Sequence, residues 1–193
     1  MRAIFLDKDG TLVEDVPYNV DPARVRLSPT AGAALRDFRR QGFLLFVITN
    51  QPGIARGFYD ERALETVRQR LSELLAAEGI VLDGFYFCPH HPDGSIARHA
   101  IGCDCRKPRP GMILRAAGQH GIDLSQSWMI GDILDDVEAG NRAGCRTVLI
   151  DNGNETVWKM SARRTPARVA LTLHDAAAAI RSAPAGKRKA VLS

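Results

Sequence analysis

Short apolar runs alternate with amphipathic segments along this chain. Continuous apolar runs, which are typical of strands buried on both faces, predict strands at 2–7, 43–49, 84–88, 127–132 and 146–150. Apolar residues spaced three and four apart predict helices at 31–41, 60–78, 111–120, 135–143 and 174–182. Asp60 is placed to cap the second helix, and Gly42 and Gly79 are placed to end the first two.

The alternation of strands and helices predicts the fold class. We expect an α/β fold with a doubly wound, mainly parallel, Rossmann-like sheet that is flanked by helices. Ligands of such sheets bind at the carboxyl ends of the strands. Four chemically informative residues fall at predicted strand ends: Asp7, Thr49, Cys88 and Asp132. We therefore expect the chemistry of this chain at that edge of the sheet.

The composition indicates one globular domain with a basic end. The 193 residues are 45% hydrophobic and 25% charged, which is enough for a core without disulfide bonds. The net charge is +4, and the last 13 residues alone carry +4, because they have no acid and four cations: Arg181, Lys187, Arg188 and Lys189. We predict a single domain over 1–180 and a flexible basic tail over 181–193. The neutral domain argues against a nucleic-acid partner.

Location follows from what the chain does not contain. The first apolar run is too short for a signal peptide, and no stretch approaches the roughly 18 apolar residues of a membrane span. We expect a cytoplasmic protein without a membrane partner. Cysteines are reduced in that compartment, and clustered ones hold metal more often than they form disulfides. Cys145 stands apart before an apolar run, and we expect it to be an inert core residue.

The stretch FLDKDGTL places two carboxylates after the first predicted strand. Asp7 ends the strand, Asp9 follows two residues later, and Gly10 permits a sharp turn. Two carboxylates this close repel each other, and a divalent cation would offset their charge. A surface turn is the alternative, because Asp and Gly are common turn residues. The buried strand ahead of the pair favours the cation site.

A loop without hydrophobic periodicity holds three of the four cysteines and three of the five histidines. The stretch CPHHPDGSIARHAIGCDC (88–105) contains the pairs Cys88/His90 and Cys103/Cys105. Three thiolates and one imidazole form a tetrahedral zinc set, and four protein ligands are typical of a structural site. We therefore expect zinc to clip this loop. The residues alone leave three candidates for the imidazole: His90, His91 and His99.

Four stretches, in order along the chain, resemble the signature motifs of the haloacid-dehalogenase-type phosphatases. The first is FLDKDGTL, and the second is VITN (47–50), a buried strand that ends in Thr. The third is RKPRPGM (106–112), a Lys before Pro at a helix start, and the fourth is MIGDILDD (129–136), a strand that ends in Gly-Asp. One such motif is weak evidence for this family, whereas four in order, each at a predicted strand end or helix start, are strong evidence. About 40 residues separate Asp7 from Thr49, so we expect no large cap domain.

The resemblance implies a role for each motif residue. Asp7 is implied to be the nucleophile that forms an aspartyl phosphate, and Asp9 the general acid and base. Thr49 and Lys107 are implied to bind phosphoryl oxygens. Mg²⁺ is implied to bind Asp7, the backbone carbonyl of Asp9, and Asp132. We interpret the neighbouring acids of the fourth motif as helix caps: Asp135 and Asp136.

The zinc loop narrows the resemblance to two branches of this family. CPHHP, CDCRKP and TNQPGIARG (49–57) resemble the heptose bisphosphate phosphatases, and the resemblance favours His90 as the zinc ligand. It implies a sugar bisphosphate substrate that loses its C7 phosphate. Substrate contacts are implied for five residues: Asp15, Tyr18, Asn50, Gln51 and Arg106. The histidinol-phosphate phosphatases are the alternative branch, and a nucleic-acid 3′-phosphatase is a further alternative.

The chain departs from the heptose branch at Pro17, where Gly is expected, and at two further positions. Pro52 stands where Ser is usual, which removes a hydroxyl and a backbone donor. Ile133 stands where Lys is frequent, which removes a cation. Both departures bear on the choice of sugar. A zinc-clipped scaffold without activity is the competing hypothesis, and three acids argue against it: Asp7, Asp9 and Asp132. We expect a monomer, which is the default for small members without a cap.

Overall fold

A sheet of six parallel strands forms the centre of the computed structural model, which describes residues 1–184. Along the chain the strands are β1 (Ala3–Leu6), β2 (Leu44–Asn50), β3 (Gly84–Cys88), β4 (Trp128–Gly131), β5 (Arg146–Ile150) and β6 (Arg168–Ala170). Their order across the sheet is β3-β2-β1-β4-β5-β6. Neighbouring strands run parallel throughout. The predicted doubly wound fold is confirmed, and its direction of winding reverses between β1 and β4, where ligands bind in such sheets.

Helices cover both faces of this sheet. They are α1 (Ala31–Arg40), α2 (Pro52–Ala55), α3 (Glu61–Ala77), α4 (Gly111–His120), α5 (Leu134–Ala143) and α6 (Leu173–Arg181). The side chain of Asp60 caps α3 by accepting from the backbone N–H of Ala63 at 2.9 Å. Gly42 and Gly79 follow α1 and α3 with φ of +81° and +72°, a conformation that glycine adopts without strain.

The core has one layer on each face of the sheet. Alternate side chains of a strand point to opposite faces, so Ile4 of β1 packs into the layer with α1, α3 and α6. Phe5 packs into the other layer, together with Ile113 of α4. Burying a side chain of this size contributes about 1.5–3 kcal/mol. The central strands are therefore firmly held, and they fix the residues that follow them.

The carboxyl ends of three central strands bring the predicted site residues together. The backbone N–H of Asp7 donates to the carbonyl of Ile130 at 2.9 Å, which extends the pairing of β1 with β4. Asp132 comes directly after β4, on the same edge. On the other side of β1, β2 ends with Thr49 and Asn50. The sheet thus places these side chains around one crevice.

The structure contains one short α-helix and one short strand that the sequence analysis did not predict. Helix α2 was not predicted, because four residues carry no periodicity. Pro52 occupies its first position, where a missing N–H costs nothing. Strand β6 was also not predicted, because Arg168 and Val169 are exposed and only Ala170 is buried. Arg181 ends α6 and pairs with Asp37 at 3.1 Å, and residues 185–193 of the predicted tail lie outside the described residues.

The segment between β1 and α1 is short and forms no cap domain. Residues 7–30 hold two isolated bridges, which join Val13 to Asp9 and to Leu27, and a 3-10 turn at Pro22–Arg24. Within residues 1–184, no cap covers the carboxyl edge of the sheet, as the sequence predicted. None of the helices in this range combines the length and the apolar character that crossing a membrane requires.

Candidate active site

Gly10 allows the loop after β1 to approach Asp132. Its φ is +77°, and a Cβ at this position would lie 2.1 Å from Oδ2 of Asp132. The loop is held by Asn152, whose Nδ2 donates to the carbonyl of Gly10 at 2.7 Å. Only glycine fits between the turn and this carboxylate.

The ammonium group of Lys107 lies between two carboxylates at the bottom of the site. Its Nζ is 2.5 Å from Oδ1 of Asp7 and 2.6 Å from Oδ1 of Asp136, and it donates to the carbonyl of Ile48 at 3.0 Å. The side chain is only 2% exposed. Burial acts to lower the pKa of Lys107, but Asp136 and Asp7 raise it above its ordinary value. Lys107 therefore carries a charge inside the protein.

Three carboxylates form a buried cluster around this ammonium group. Asp7, Asp132 and Asp136 each offer an oxygen within 4.8 Å of the others. Burial raises the pKa of Asp7 to about 7 and the pKa values of Asp132 and Asp136 to about 6. When all three are ionised, a single ammonium leaves two negative charges in excess. Hard cations prefer such oxygen ligands, so the donor set fits Mg²⁺.

Two hydrogen bonds hold the carboxylate of Asp132. The hydroxyl of Thr11 donates to Oδ1 at 3.0 Å, and Nδ2 of Asn154 donates to Oδ2 at 2.7 Å. Both bonds favour the ionised form and oppose the effect of burial on the pKa of Asp132. The rotation of this carboxylate is therefore fixed from two sides.

Asp9 lies at the entrance of the site rather than in the buried cluster. Its side chain is 32% exposed, and Oδ1 accepts from Nζ of Lys8 at 2.5 Å. Nε2 of Gln51 donates to Oδ2 of Asp9 at 3.1 Å and to the hydroxyl of Thr49 at 3.0 Å. Tyr59 donates its hydroxyl proton to Oε1 of Gln51 at 2.6 Å, which fixes the direction of the amide. Gln51 thereby connects Asp9 with Thr49.

A cavity of about 250 Å³ opens above Asp9. Four of the five residues that the resemblance assigned to the substrate lie in its wall: Asp15, Tyr18, Asn50 and Gln51. Asn50 also pairs with the backbone of Lys107, donating to its carbonyl at 3.1 Å and accepting from its N–H at 3.0 Å. The wall of the cavity is thus attached to the bottom of the site.

Arg106 does not reach this cavity. It lines a separate cavity of about 390 Å³ with Lys107 and Cys103. One of its guanidinium nitrogens donates to the carbonyl of His90 at 3.4 Å. The structure therefore separates Arg106 from the four other residues assigned to the substrate.

The predicted zinc ligands converge at the end of β3. Cys88, His90, Cys103 and Cys105 offer ligand atoms within 4.8 Å of one another, with separations of 3.0–3.8 Å between neighbouring pairs. The hydrogen bond between Cys88 and Cys105 lowers the pKa of Cys105 to about 5, and the same contact raises the pKa of Cys88. All four cysteines of the chain are free thiols. The donors fit tetrahedral zinc, with one thiolate already favoured.

The other two histidines of the loop do not join this cluster. Nδ1 of His91 accepts from the backbone of Asp93 at 3.1 Å, and Nε2 of His99 contacts Nε of Arg98 at 3.0 Å. His90 is therefore the imidazole that the structure brings to the thiols. Cys145 is 6% exposed and packs in the core beside α4, as expected for an inert thiol.

The loop around the thiols is tied to helix α2. The backbone N–H of Ile96 donates to the carbonyl of Ala55 at 2.9 Å, and the hydroxyl of Ser95 donates to the carbonyl of Arg56 at 2.9 Å. Arg106 and Lys107 follow Cys105 directly. A fixed conformation of this loop therefore helps to position both the cavity wall and the ammonium group of Lys107.

Asp136, Thr11 and Asn154 are site residues that the sequence analysis missed. The prediction of Asp136 as a cap is confirmed in part, because its Oδ2 accepts from the N–H of Ile133 at 3.3 Å. The same side chain is fully buried and also contacts Lys107. The glycine at position 131, at the end of a buried strand, is the sequence feature that could have indicated this close approach. A Cβ at Gly131 would lie 2.2 Å from Oδ2 of Asp136. Asn154 lies in an irregular loop, where no pattern distinguishes it.

A doubly wound sheet with carboxylates and a buried lysine at its carboxyl edge fits a site that binds a divalent cation and a phosphoryl group. A family model described as HAD-hydrolase-like matches residues 104–176. A D-glycero-beta-D-manno-heptose-1,7-bisphosphate 7-phosphatase from Yersinia pestis is 42% identical over 152 residues, which cover 78% of this chain and 81% of the relative. The chain therefore belongs to the HAD-like hydrolase family.

Two crystal structures agree with this assignment. A HAD-like protein from Mesorhizobium loti is 35% identical with a TM-score of 0.82, over 98% of this chain and 90% of its own. The D,D-heptose 1,7-bisphosphate phosphatase from B. bronchiseptica, complexed with magnesium and phosphate, is 31% identical with a TM-score of 0.81, over 94% of this chain and 98% of its own. Identity at this level over nearly whole chains extends the likeness beyond the fold.

Proposed function

We propose that this chain is a Mg²⁺-dependent phosphatase that removes the C7 phosphate of D-glycero-D-manno-heptose 1,7-bisphosphate. The observation that carries the proposal is the buried contact of 2.5 Å between Lys107 and Asp7 at the carboxyl end of β1. It places a permanent cation against a strand-end carboxylate. The proposed substrate is the one named for two similar proteins, from Yersinia pestis and from B. bronchiseptica.

Asp7 is the nucleophile in this proposal. One of its oxygens attacks phosphorus, the bond to the sugar oxygen breaks, and an aspartyl phosphate forms. The attack requires an ionised carboxylate, and burial disfavours that form by raising the pKa of Asp7 to about 7. The ammonium of Lys107 opposes burial, and without it the pKa would lie above this value.

Asp9 transfers the protons. Its carboxyl group donates a proton to the leaving sugar oxygen and then takes one from the water that hydrolyses the aspartyl phosphate. The second step releases phosphate and restores Asp7. The position of Asp9 supports this role, because it lines the cavity where the sugar binds and Gln51 orients its carboxylate.

Thr49 and Lys107 bind the phosphoryl oxygens. The Lys107 ammonium contacts Asp7 at 2.5 Å and the carbonyl of Ile48 at 3.0 Å, and Thr49 follows Ile48 directly in β2. Asp7, Asp132 and the backbone carbonyl of Asp9 would hold Mg²⁺, which supplies positive charge to the phosphoryl group when it is bound. The excess of two negative charges in the buried cluster supports a divalent ion there.

Substrate selection belongs to the cavity above Asp9 and to the zinc loop. Asp15, Tyr18, Asn50 and Gln51 present polar groups that suit the hydroxyls of a sugar. Arg106 lines a separate cavity at the end of the zinc loop, so its proposed partner is the second phosphate rather than the sugar; its planar fork matches phosphate oxygens. Structural zinc, held by the Cys88/His90/Cys103/Cys105 set, orders the loop that carries Arg106.

A substrate panel tests this proposal. Phosphate release is measured with both anomers of the heptose bisphosphate, histidinol phosphate, fructose 1,6-bisphosphate and a 3′-phosphorylated oligonucleotide, with and without Mg²⁺. We expect selective, Mg²⁺-dependent release from one heptose anomer, and none from Asp7→Asn. Preference for histidinol phosphate or for the oligonucleotide would contradict the substrate, and no turnover by folded, zinc-loaded protein would contradict the enzyme.

We further propose a cytoplasmic monomer. The free thiols of the Cys88/His90/Cys103/Cys105 set need a reducing compartment to remain metal ligands. Sedimentation equilibrium of the zinc-loaded protein measures the mass directly, and a mass above 21.1 kDa would contradict the monomer.

A further inference from the structure

We propose that Asn154 is a positioning residue that sets the Mg²⁺ affinity of the site by holding the carboxylate of Asp132. The inference rests on the proposed function, because that function assigns Mg²⁺ to Asp7, Asp132 and the backbone carbonyl of Asp9. It concerns a loop after β5 that contributes none of the four family motifs.

The contact between Asn154 and Asp132 is short and well placed. Nδ2 of Asn154 donates to Oδ2 of Asp132 at 2.7 Å, whereas Thr11 donates to Oδ1 at 3.0 Å. With one donor on each oxygen, the plane of the carboxylate cannot rotate freely. The carboxylate therefore keeps one orientation beside Asp7 and Asp136, within 4.8 Å of both.

The loop that carries Asn154 is anchored on both sides of this contact. Asn152 donates from Nδ2 to the carbonyl of Gly10 at 2.7 Å, and Glu155 accepts at Oε2 from the N–H of Leu134 at 2.7 Å. The backbone N–H of Asn154 itself donates to Oδ1 of Asn152 at 3.2 Å. The amide of Asn154 is therefore presented to Asp132 by a backbone that is fixed at neighbouring residues.

A neutral amide suits this position better than a cation. Asp7, Asp132 and Asp136 already share the charge of Lys107, and a second fixed cation beside Asp132 would compete with a divalent ion. The amide orients the oxygen and adds no net charge. Outer partners of this kind change metal affinity by about 10- to 100-fold when they are removed.

The test measures Mg²⁺ binding by isothermal titration calorimetry, without substrate, on zinc-loaded protein. We expect Asn154→Ala to weaken Mg²⁺ binding by about tenfold or more. Asn154 borders a cavity of about 400 Å³, so the shorter side chain leaves no sealed void. The matched control is Thr156→Ala, at an exposed position of the same loop, two residues after Asn154. We expect it to change the dissociation constant by less than about twofold.

A second variant separates hydrogen bonding from packing. Asn154→Leu keeps the branched shape of the side chain at a larger volume and removes the donor, so we expect it to weaken binding as much as Asn154→Ala. Binding restored by leucine, or equal binding by the Asn154→Ala variant and the unmodified protein, would overturn the inference while leaving the proposed function intact. Unmodified protein that binds no Mg²⁺ would overturn both. Unfolding temperatures without added Mg²⁺ show that the variants are folded.

Discussion

Lys107 and Asp136 form an ion pair of 2.6 Å in which both side chains are buried. The same ammonium group lies 2.5 Å from Asp7, so one cation is shared between two carboxylates on different elements. The position of the lysine therefore depends on a residue of α5 that has no direct contact with a substrate in the proposed mechanism. Asp136 acts on Asp7 through Lys107.

Replacing Asp136 tests this dependence. Asp136→Asn removes one of the two anchors of Lys107 and turns an amide toward the ammonium group. Lys107 is then held less firmly beside Asp7, and its ammonium group loses the fixed position from which it binds the phosphoryl oxygens. We expect kcat to fall by about tenfold to a hundredfold, which is within the range for groups that position charge in active sites. Steady-state kinetics at saturating Mg²⁺ measure the change.

Asp135 provides the matched control for this variant. It is the adjacent residue on α5, but its carboxylate pairs with Arg164 at 2.8 Å, away from Lys107. We expect Asp135→Asn to retain kcat within about twofold, because its ion pair is partly open to solvent and does not involve Lys107. Equal losses in both variants would indicate a general effect on α5 rather than the positioning of Lys107.

Removing the charge of Lys107 makes stability depend on pH. Lys107→Met leaves Asp7 and Asp136 buried without a cation, so their folded-state pKa values rise above the present values of about 7 and 6. A raised carboxyl pKa gives stability that is present below the unfolded value and is lost as pH rises through the folded value. Urea unfolding without Mg²⁺ should therefore show a larger loss of stability at pH 8 than at pH 5.

The same variant tests catalysis independently of stability. We expect Lys107→Met to lower kcat by at least about a hundredfold at a pH where it is folded, because a buried cation beside the phosphoryl group is lost. For the stability prediction, an equal loss of unfolding free energy at pH 5 and pH 8 would show that the ionisation of Asp7 and Asp136 does not cause the loss of stability.

The frame of the site could be predicted because its residues follow buried strands. The four apolar residues of β1 and the apolar run of β2 place Asp7 and Thr49 near the carboxyl ends of their strands. Because the two strands pair in parallel, these ends lie at the same edge of the sheet. Asp60 and Gly79 marked the ends of α3 because capping is a local interaction. These features depend only on neighbours in the sequence.

The remaining contacts could not be predicted because they join distant segments. An acid in the first turn of a helix has a local explanation, so the contact of Asp136 with Lys107 was missed. Asn154 reaches Asp132 from an irregular loop, and its partner is determined by the path of the chain after β5. Arg106 adjoined the motif lysine in sequence, yet it lines a different cavity from Asp15 and Tyr18.

Mg²⁺ binding should weaken as the pH falls. Burial raises the pKa of Asp7 to about 7 and that of Asp132 to about 6, so both are increasingly protonated between pH 8 and pH 5. Mg²⁺ must displace those protons, and one displaced proton costs about tenfold in affinity for each pH unit below the pKa. Calorimetric titrations at pH 8 and pH 5.5 should differ by more than tenfold. Affinity that is constant across this range would show that neither carboxylate binds the ion.

Loss of zinc should inactivate the enzyme without changing any residue that contacts the reacting phosphate. Cys105 contacts the thiols of Cys88 and Cys103 at 3.0 and 3.1 Å, and Lys107 follows two residues later. We expect Cys105→Ser to lose bound zinc and most of kcat, because the segment that presents Lys107 loses its anchor. Plasma emission spectroscopy measures the metal. Cys145→Ala is the control, since this thiol lies outside the cluster, and it should keep one zinc per chain. A Cys105→Ser protein that is free of zinc yet fully active would show that Asn50, which pairs with the backbone of Lys107, is sufficient to position the lysine.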